Sequence, residues 1–74
     1  MKELITKYGF ELYHTGCSCV GLPRYYKHQD FFDYKIILKA GFATIKKSGI
    51  EEFKTKDIEQ LKEKLIEYGI VSEN

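Results

Sequence analysis

Tyr34-Lys35-Ile36-Ile37-Leu38-Lys39-Ala40-Gly41-Phe42-Ala43-Thr44-Ile45-Lys46-Lys47-Ser48-Gly49-Ile50-Glu51-Glu52-Phe53 decides the fold. Ala40-Gly41 and Ser48-Gly49 divide the stretch into three runs. Each dipeptide suits a two-residue hairpin loop, so Tyr34–Lys39, Phe42–Lys47 and Ile50–Phe53 are predicted to form an antiparallel meander. Counting back from the turns sets Leu38 opposite Ala43, Ile36 opposite Ile45, Lys47 opposite Ile50 and Lys46 opposite Glu51. Because side chains alternate along a strand, one face is expected to carry Tyr34, Ile36, Leu38, Ala43, Ile45 and Ile50. The other then carries Lys35, Ile37, Lys39, Phe42, Thr44, Lys46, Glu51 and Phe53, a basic and aromatic surface. A one-residue slip in either hairpin would exchange the two sets.

The apolar face needs a cover, and the C-terminal segment supplies one. In Lys56–Tyr68, Ile58, Leu61, Leu65 and Tyr68 recur at 3-4-3 spacing, one stripe of a helix. Thr55 is the expected N-cap, with Asp57 and Glu59 in a first turn that favours negative charge. A shorter helix is predicted over Lys2–Tyr8, with Leu4, Ile5 and Tyr8 inward. Gly9 stops that helix and Gly69 stops the long one. Phe10–His14 alternates and reads as a first strand. The expected fold is α+β in a single domain, residues 1–74: a short N-terminal helix and a four-stranded, mainly antiparallel sheet with a C-terminal helix packed on one face.

Composition narrows the function classes. The 74 residues are 43% apolar and 15% aromatic with a net charge of +1, which argues against a disordered tail. No apolar run reaches the roughly 18–20 residues that a membrane span needs, and no signal-peptide core follows Lys2. Cys17 and Cys19, separated by Ser18, would close a very short and strained ring, so both are expected as free thiols in a cytoplasmic protein. The charge is unevenly spread. Residues 14–47 hold six basic side chains against two acidic, whereas residues 48–74 hold four against seven. Such a field steers an anionic partner toward the loop and the uncovered sheet face.

Thr15–Asp33 shows no periodicity and reads as a long connection punctuated by Gly16, Gly21 and Pro23, the kind of segment that carries function. Within it, Arg24-Tyr25-Tyr26-Lys27-His28 interleaves cations with rings. Together with Lys35 and Lys39 on the neighbouring face, Arg24, Tyr25, Tyr26 and Lys27 form a candidate nucleic-acid site, since bases stack on rings while cations follow phosphates. Against this, Tyr25 and Tyr26 would merely pin the loop to the sheet. Ile37, Phe42 and Phe53 form a second candidate, an exposed apolar patch for a protein partner or a second copy of the chain. His14, Cys17, Cys19 and His28 offer thiolate and imidazole donors for zinc, but His-x2-Cys-x-Cys-x8-His departs from the usual knuckle spacing. The alternative has two buried thiols beside an exposed His28. No P-loop, dinucleotide fingerprint, paired-carboxylate motif or third group for a Cys/His pair accompanies these residues, so neither an enzyme nor a cofactor is expected.

The stretch His14-Thr15-Gly16-Cys17-Ser18-Cys19, followed by Gly21-Leu22-Pro23-Arg24-Tyr25-Tyr26-Lys27-His28, resembles small uncharacterised proteins of bacterial phages and mobile elements. It covers about a fifth of the chain. The resemblance implies binding to a host protein or to nucleic acid, including inhibition of defence nucleoproteins, and it implies no residue roles. The first functional expectation is therefore contact with nucleic acid or a nucleoprotein. The second is a protein-binding adaptor or inhibitor, as a homodimer in one version.

Overall fold

A computed structural model describes residues 2–71. Helix α1 (Lys2–Lys7) is followed by five strands: β1 (Phe10–Thr15), β2 (Arg24–His28), β3 (Tyr34–Lys39), β4 (Phe42–Lys47) and β5 (Ile50–Thr55). Helix α2 (Ile58–Glu67) closes the chain. The strands lie in sequence order in one sheet, each antiparallel to the next. The fold is α+β, as expected, but with one more strand.

That strand is β2, which falls inside the predicted loop Thr15–Asp33. Tyr26 pairs with Leu12 on one side and Ile36 on the other, and Lys27 with Glu11 and Lys35. Its inward residues are Tyr26 and His28, whose hydroxyl and imidazole hide the apolar alternation on which strand recognition depends. The former loop shrinks to two connections. The first carries a 3₁₀ turn at Ser18–Val20, and the second spans residues 29–33.

The β3–β4 register is the one counted from Ala40-Gly41: Leu38 faces Ala43, and Ile36 faces Ile45. Both hairpin loops have positive φ at both residues (Ala40 +50° and Gly41 +82°, Ser48 +53° and Gly49 +83°), as a type I′ turn requires. Lys47 and Lys46 oppose Ile50 and Glu51 as expected, but a bulge then places Phe53, not Glu52, opposite Ile45. One extra residue reverses the phase of the strand beyond it. Phe53 therefore packs against the core instead of sharing a face with Phe42, and Ile50, assigned to the core, is 67% exposed at the hairpin end.

The core consists of Ile5, Phe10, Tyr26, Ile36, Ala43, Ile45, Leu61 and Leu65, with Leu4, Tyr8, Tyr34, Leu38, Phe53, Tyr68, Ile70 and Val71 packed around it. Both helices cover the same side of the sheet. Helix α2 begins two residues later than predicted, because Asp57 rather than Thr55 caps it: Asp57 Oδ1 accepts from the Glu59 N–H at 2.9 Å. Thr55 is buried beneath, accepting from the Asp57 N–H (3.1 Å) and donating to Gln60 Oε1 (2.7 Å). Ile58, the first residue of the predicted stripe, stays 43% exposed at the sheet's end. Tyr26 places its hydroxyl in the core without a hydrogen-bond partner among the described residues. An unpaired buried hydroxyl costs about 1–3 kcal/mol. Tyr26→Phe should therefore leave the urea midpoint unchanged or raise it, and a marked loss of stability would show that the hydroxyl is bonded in the folded protein.

Candidate functional site

Strand parity decides what lies on the sheet face away from the helices. From β2 come Tyr25 and Lys27; from β3, Lys35, Ile37 and Lys39; from β4, Phe42, Thr44 and Lys46; from β5, Glu51 and Lys54. On β1, the register shifts between Leu12 and His14, leaving Tyr13 as the extra residue, with His14 opposite Tyr25. The bulge brings Tyr13 and His14 together against the same neighbour. The ring of His14 lies 5.2 Å from Tyr25, and that of Tyr13 lies 6.2 Å from it. Lys27 Nζ stands 5.8 Å and Lys35 Nζ 5.6 Å from the Tyr13 ring centre, within cation–π range. Farther along the face, Lys54 Nζ sits 5.1 Å from the centre of the Phe42 ring.

The face thus offers two ring-and-ammonium groupings bridged by Ile37 and Thr44. Lys27, Lys35, Lys39, Lys46 and Lys54 outnumber Glu11 and Glu51 on it. Pairing Lys35 directly opposite both Lys27 and Lys46 sets like charges side by side, which destabilises a sheet. An anion laid across the row would relieve that repulsion.

No protein-family model, curated protein or solved structure matches the chain.

Of the nucleic-acid candidates read from the sequence, Tyr25, Lys27, Lys35 and Lys39 share this face. Tyr26 does not: it is 1% exposed and belongs to the core. Arg24 has the parity of Tyr26 and lines a cleft at the end of the sheet instead. A loop has no parity, whereas a strand does, and it is the parity of β2 that separates Arg24 and Tyr26 from Tyr25 and Lys27. Tyr13, His14 and Lys54 were missed. The β1 bulge has no sequence signature, and Lys54 changes side only through the bulge in β5. Of the protein-binding candidates, Ile37 and Phe42 lie on this face, and Phe53 on the other.

The zinc candidates do not converge. His28 pairs with Phe10 at one end of the β1–β2 ladder, while Cys17 and Cys19 follow its other end, beyond the Thr15–Arg24 pair. Among the described residues, no group of three or more His, Cys, Asp or Glu side chains could hold a metal ion. The burial expected of these residues is also reversed, for both thiols are exposed and His28 is only 5% exposed. His28 Nδ1 accepts from the backbone N–H groups of Asp30 (3.0 Å) and Phe31 (3.2 Å). That fixes the ring proton on Nε2, which donates to the Tyr8 carbonyl at 2.7 Å. The imidazole ties the turn after α1, strand β2 and the 29–33 connection together, and has no nitrogen to spare for a ligand.

Cys17 caps the 3₁₀ turn, its Sγ accepting from the Cys19 N–H at 3.3 Å. The neighbouring Cys19 side chain, and after it the Cys19 N–H, lower Cys17 from the ordinary thiol value, while the side-chain contact raises Cys19. The thiolate is the nucleophile, and below its pKa the gain in thiolate fraction outweighs the fall in intrinsic reactivity. Limiting iodoacetamide near neutral pH should alkylate Cys17 before Cys19, read by peptide mass spectrometry. Cys19→Ala should slow Cys17 labelling, and equal rates at the two thiols would contradict this polarity.

Proposed function

We propose that the open sheet face binds single-stranded nucleic acid, free or within a nucleoprotein, and that the chain acts by binding rather than by catalysis. The observation that carries this reading is the Tyr13–His14–Tyr25 ring cluster with Lys27 and Lys35 held over it. A single strand presents unstacked bases beside a regular row of phosphates. Exposed rings accept the bases in any sequence, and ammonium groups a strand apart accept the phosphates. Neighbouring strands lie about 4.8 Å apart, so the Lys27–Lys35–Lys46 row places charges at intervals shorter than the phosphate repeat of an extended strand. A duplex fits this reading poorly, because its bases are already stacked and its edges lie in grooves that a broad sheet face does not enter.

The test is fluorescence anisotropy with internally labelled single-stranded RNA and DNA over a salt series. Each phosphate neutralised contributes about −0.7 to the slope of log K against log salt. Three or four lysine contacts therefore predict a slope of roughly −2 to −3. Absence of binding at low ionic strength would end the proposal.

A further inference from the structure

A cleft of about 950 Å³ opens where β2 begins, the β3–β4 hairpin turns and α2 starts. Its walls divide by chemistry. Leu22, Leu38, Phe42 and Ile58 provide apolar surface, and Lys2, Arg24, Lys39 and Lys56 provide positive charge. The acid in the lining is Asp57, and its Oδ1 already accepts from the Glu59 N–H to cap α2. Among the described residues, none of the four cations forms a salt bridge. The lining therefore carries four cations against one carboxylate, a net positive hollow complementary to a compact anion of more than one charge.

The cleft is continuous with the open face. Lys39 and Phe42 oppose each other on that face and also line the cleft, so they stand at the rim between the two. Gly21 permits this on the cleft side: a Cβ there would lie 3.1 Å from Lys39 Cε, so the lysine stem runs directly over the glycine. Arg24 and Ile58 reach the hollow from the helix-covered side. A strand lying along the sheet face would run over this rim and have its end in the hollow.

We infer that the cleft receives the terminal nucleotide of a single strand and recognises its terminal phosphomonoester, an inference that rests on the nucleic-acid reading of the sheet face. An internal phosphodiester carries one negative charge, whereas a phosphomonoester carries about −1.5 to −2 at pH 7 and has three acceptor oxygens. Arg24 supplies a planar fork for two of those oxygens, and Lys2, Lys39 and Lys56 act as point charges around them. Leu22, Phe42 and Ile58 cover the terminal base or sugar. The hollow lies in the size range of pockets that enclose whole small ligands, so one nucleotide fits within it. The same chemistry serves a 5′ or a 3′ phosphate, and the two ends are separated by experiment.

Three internally labelled single-stranded oligonucleotides of one sequence, bearing a 5′ phosphate, a 3′ phosphate or hydroxyls at both ends, are titrated by anisotropy. One phosphorylated form should bind about tenfold more tightly than the hydroxyl form. The double variant Arg24→Gln/Lys56→Gln, both positions being exposed, should abolish that preference, so that on the variant the phosphorylated and hydroxyl forms bind within about twofold of each other. Equal binding of all three oligonucleotides would overturn the cleft assignment and leave the sheet-face reading standing. Failure of every oligonucleotide to bind would overturn the sheet-face reading. In that case a nucleoside monophosphate and its parent nucleoside, titrated by amide chemical-shift mapping, decide the cleft on its own: shifts at Leu22, Lys39 and Ile58 with the monophosphate alone uphold it, and their absence rejects it.

Discussion

Gly9→Ala is expected to remove about 3 kcal/mol of folding free energy. Gly9 has a φ of +98°, and an L-residue forced into positive φ loses about 1–2 kcal/mol. The added Cβ would also lie 2.8 Å from His28 Nε2, closer than a carbon and a nitrogen can rest. The imidazole cannot step aside cheaply. Its two nitrogens hold the Tyr8 carbonyl and the Asp30 and Phe31 N–H groups, and its ring packs edge-on against Phe10 at 4.9 Å and against Phe31 at 5.0 Å. Relieving the clash means giving up at least one buried hydrogen bond, which costs a further 1–2 kcal/mol or so. A domain of this length holds only about 4 kcal/mol or somewhat more, so the variant should keep about 1 kcal/mol, with roughly a sixth of its molecules unfolded. His28→Ala should cost about as much, since it leaves three backbone groups without their partner. The double variant identifies the cause. With the ring gone, Gly9→Ala should cost only its backbone strain, so the two losses should fall short of additivity by more than 1 kcal/mol in urea melts. Additive losses would show that the ring and the glycine act independently and that His28 is not the wall Gly9 was chosen to meet.

The same histidine shows why part of this fold was legible in the sequence and part was not. The α2 stripe of Leu61, Leu65 and Tyr68 and the two hairpin loops are local signals, and each led to the observed helix, turn and register. What escaped depends on tertiary context. Strand β2 turns Tyr26 and His28 inward, and a buried imidazole looks like a ligand until the backbone groups it serves are placed around it. The bulges at Tyr13 and near Glu52 add one residue each without a glycine or proline to announce them. Each bulge reverses parity, and parity decides which side of a sheet a side chain meets. For that reason Phe53 moved to the core, while Tyr13, His14 and Lys54 joined the open face. Tyr25, Lys27, Lys35 and Lys39 were legible because they are basic or aromatic and lie on strands that carry no extra residue. Tyr26 and Arg24 were not, because every second residue of a strand belongs to the opposite side.

Replacing both rings of the open face should separate stacking from charge and decide what that face does. Tyr13 is exposed and Tyr25 half-buried, and neither belongs to the core cluster, so Tyr13→Ala/Tyr25→Leu should keep the thermal midpoint near that of the parent. Each base stacked on a ring contributes about 1–3 kcal/mol, so losing both platforms should weaken single-strand binding by about 30-fold or more. The slope of log K against log salt should not change, because no phosphate contact has been removed. Lys27→Ala/Lys35→Ala should do the opposite: a smaller loss at high salt, a larger one at low salt, and a slope shallower by about 1.4. The two ammonium groups lie over the Tyr13 ring, so stacking and charge are spatially coupled, and the fourfold variant should lose less than the sum of the two pairs. If the lysine pair alone mattered and the tyrosine pair were silent, binding would be the undirected attraction of a basic surface. If neither pair changed the isotherm, the strand would lie elsewhere, and the repulsion stored along Lys27, Lys35 and Lys46 would have to be relieved by another anion.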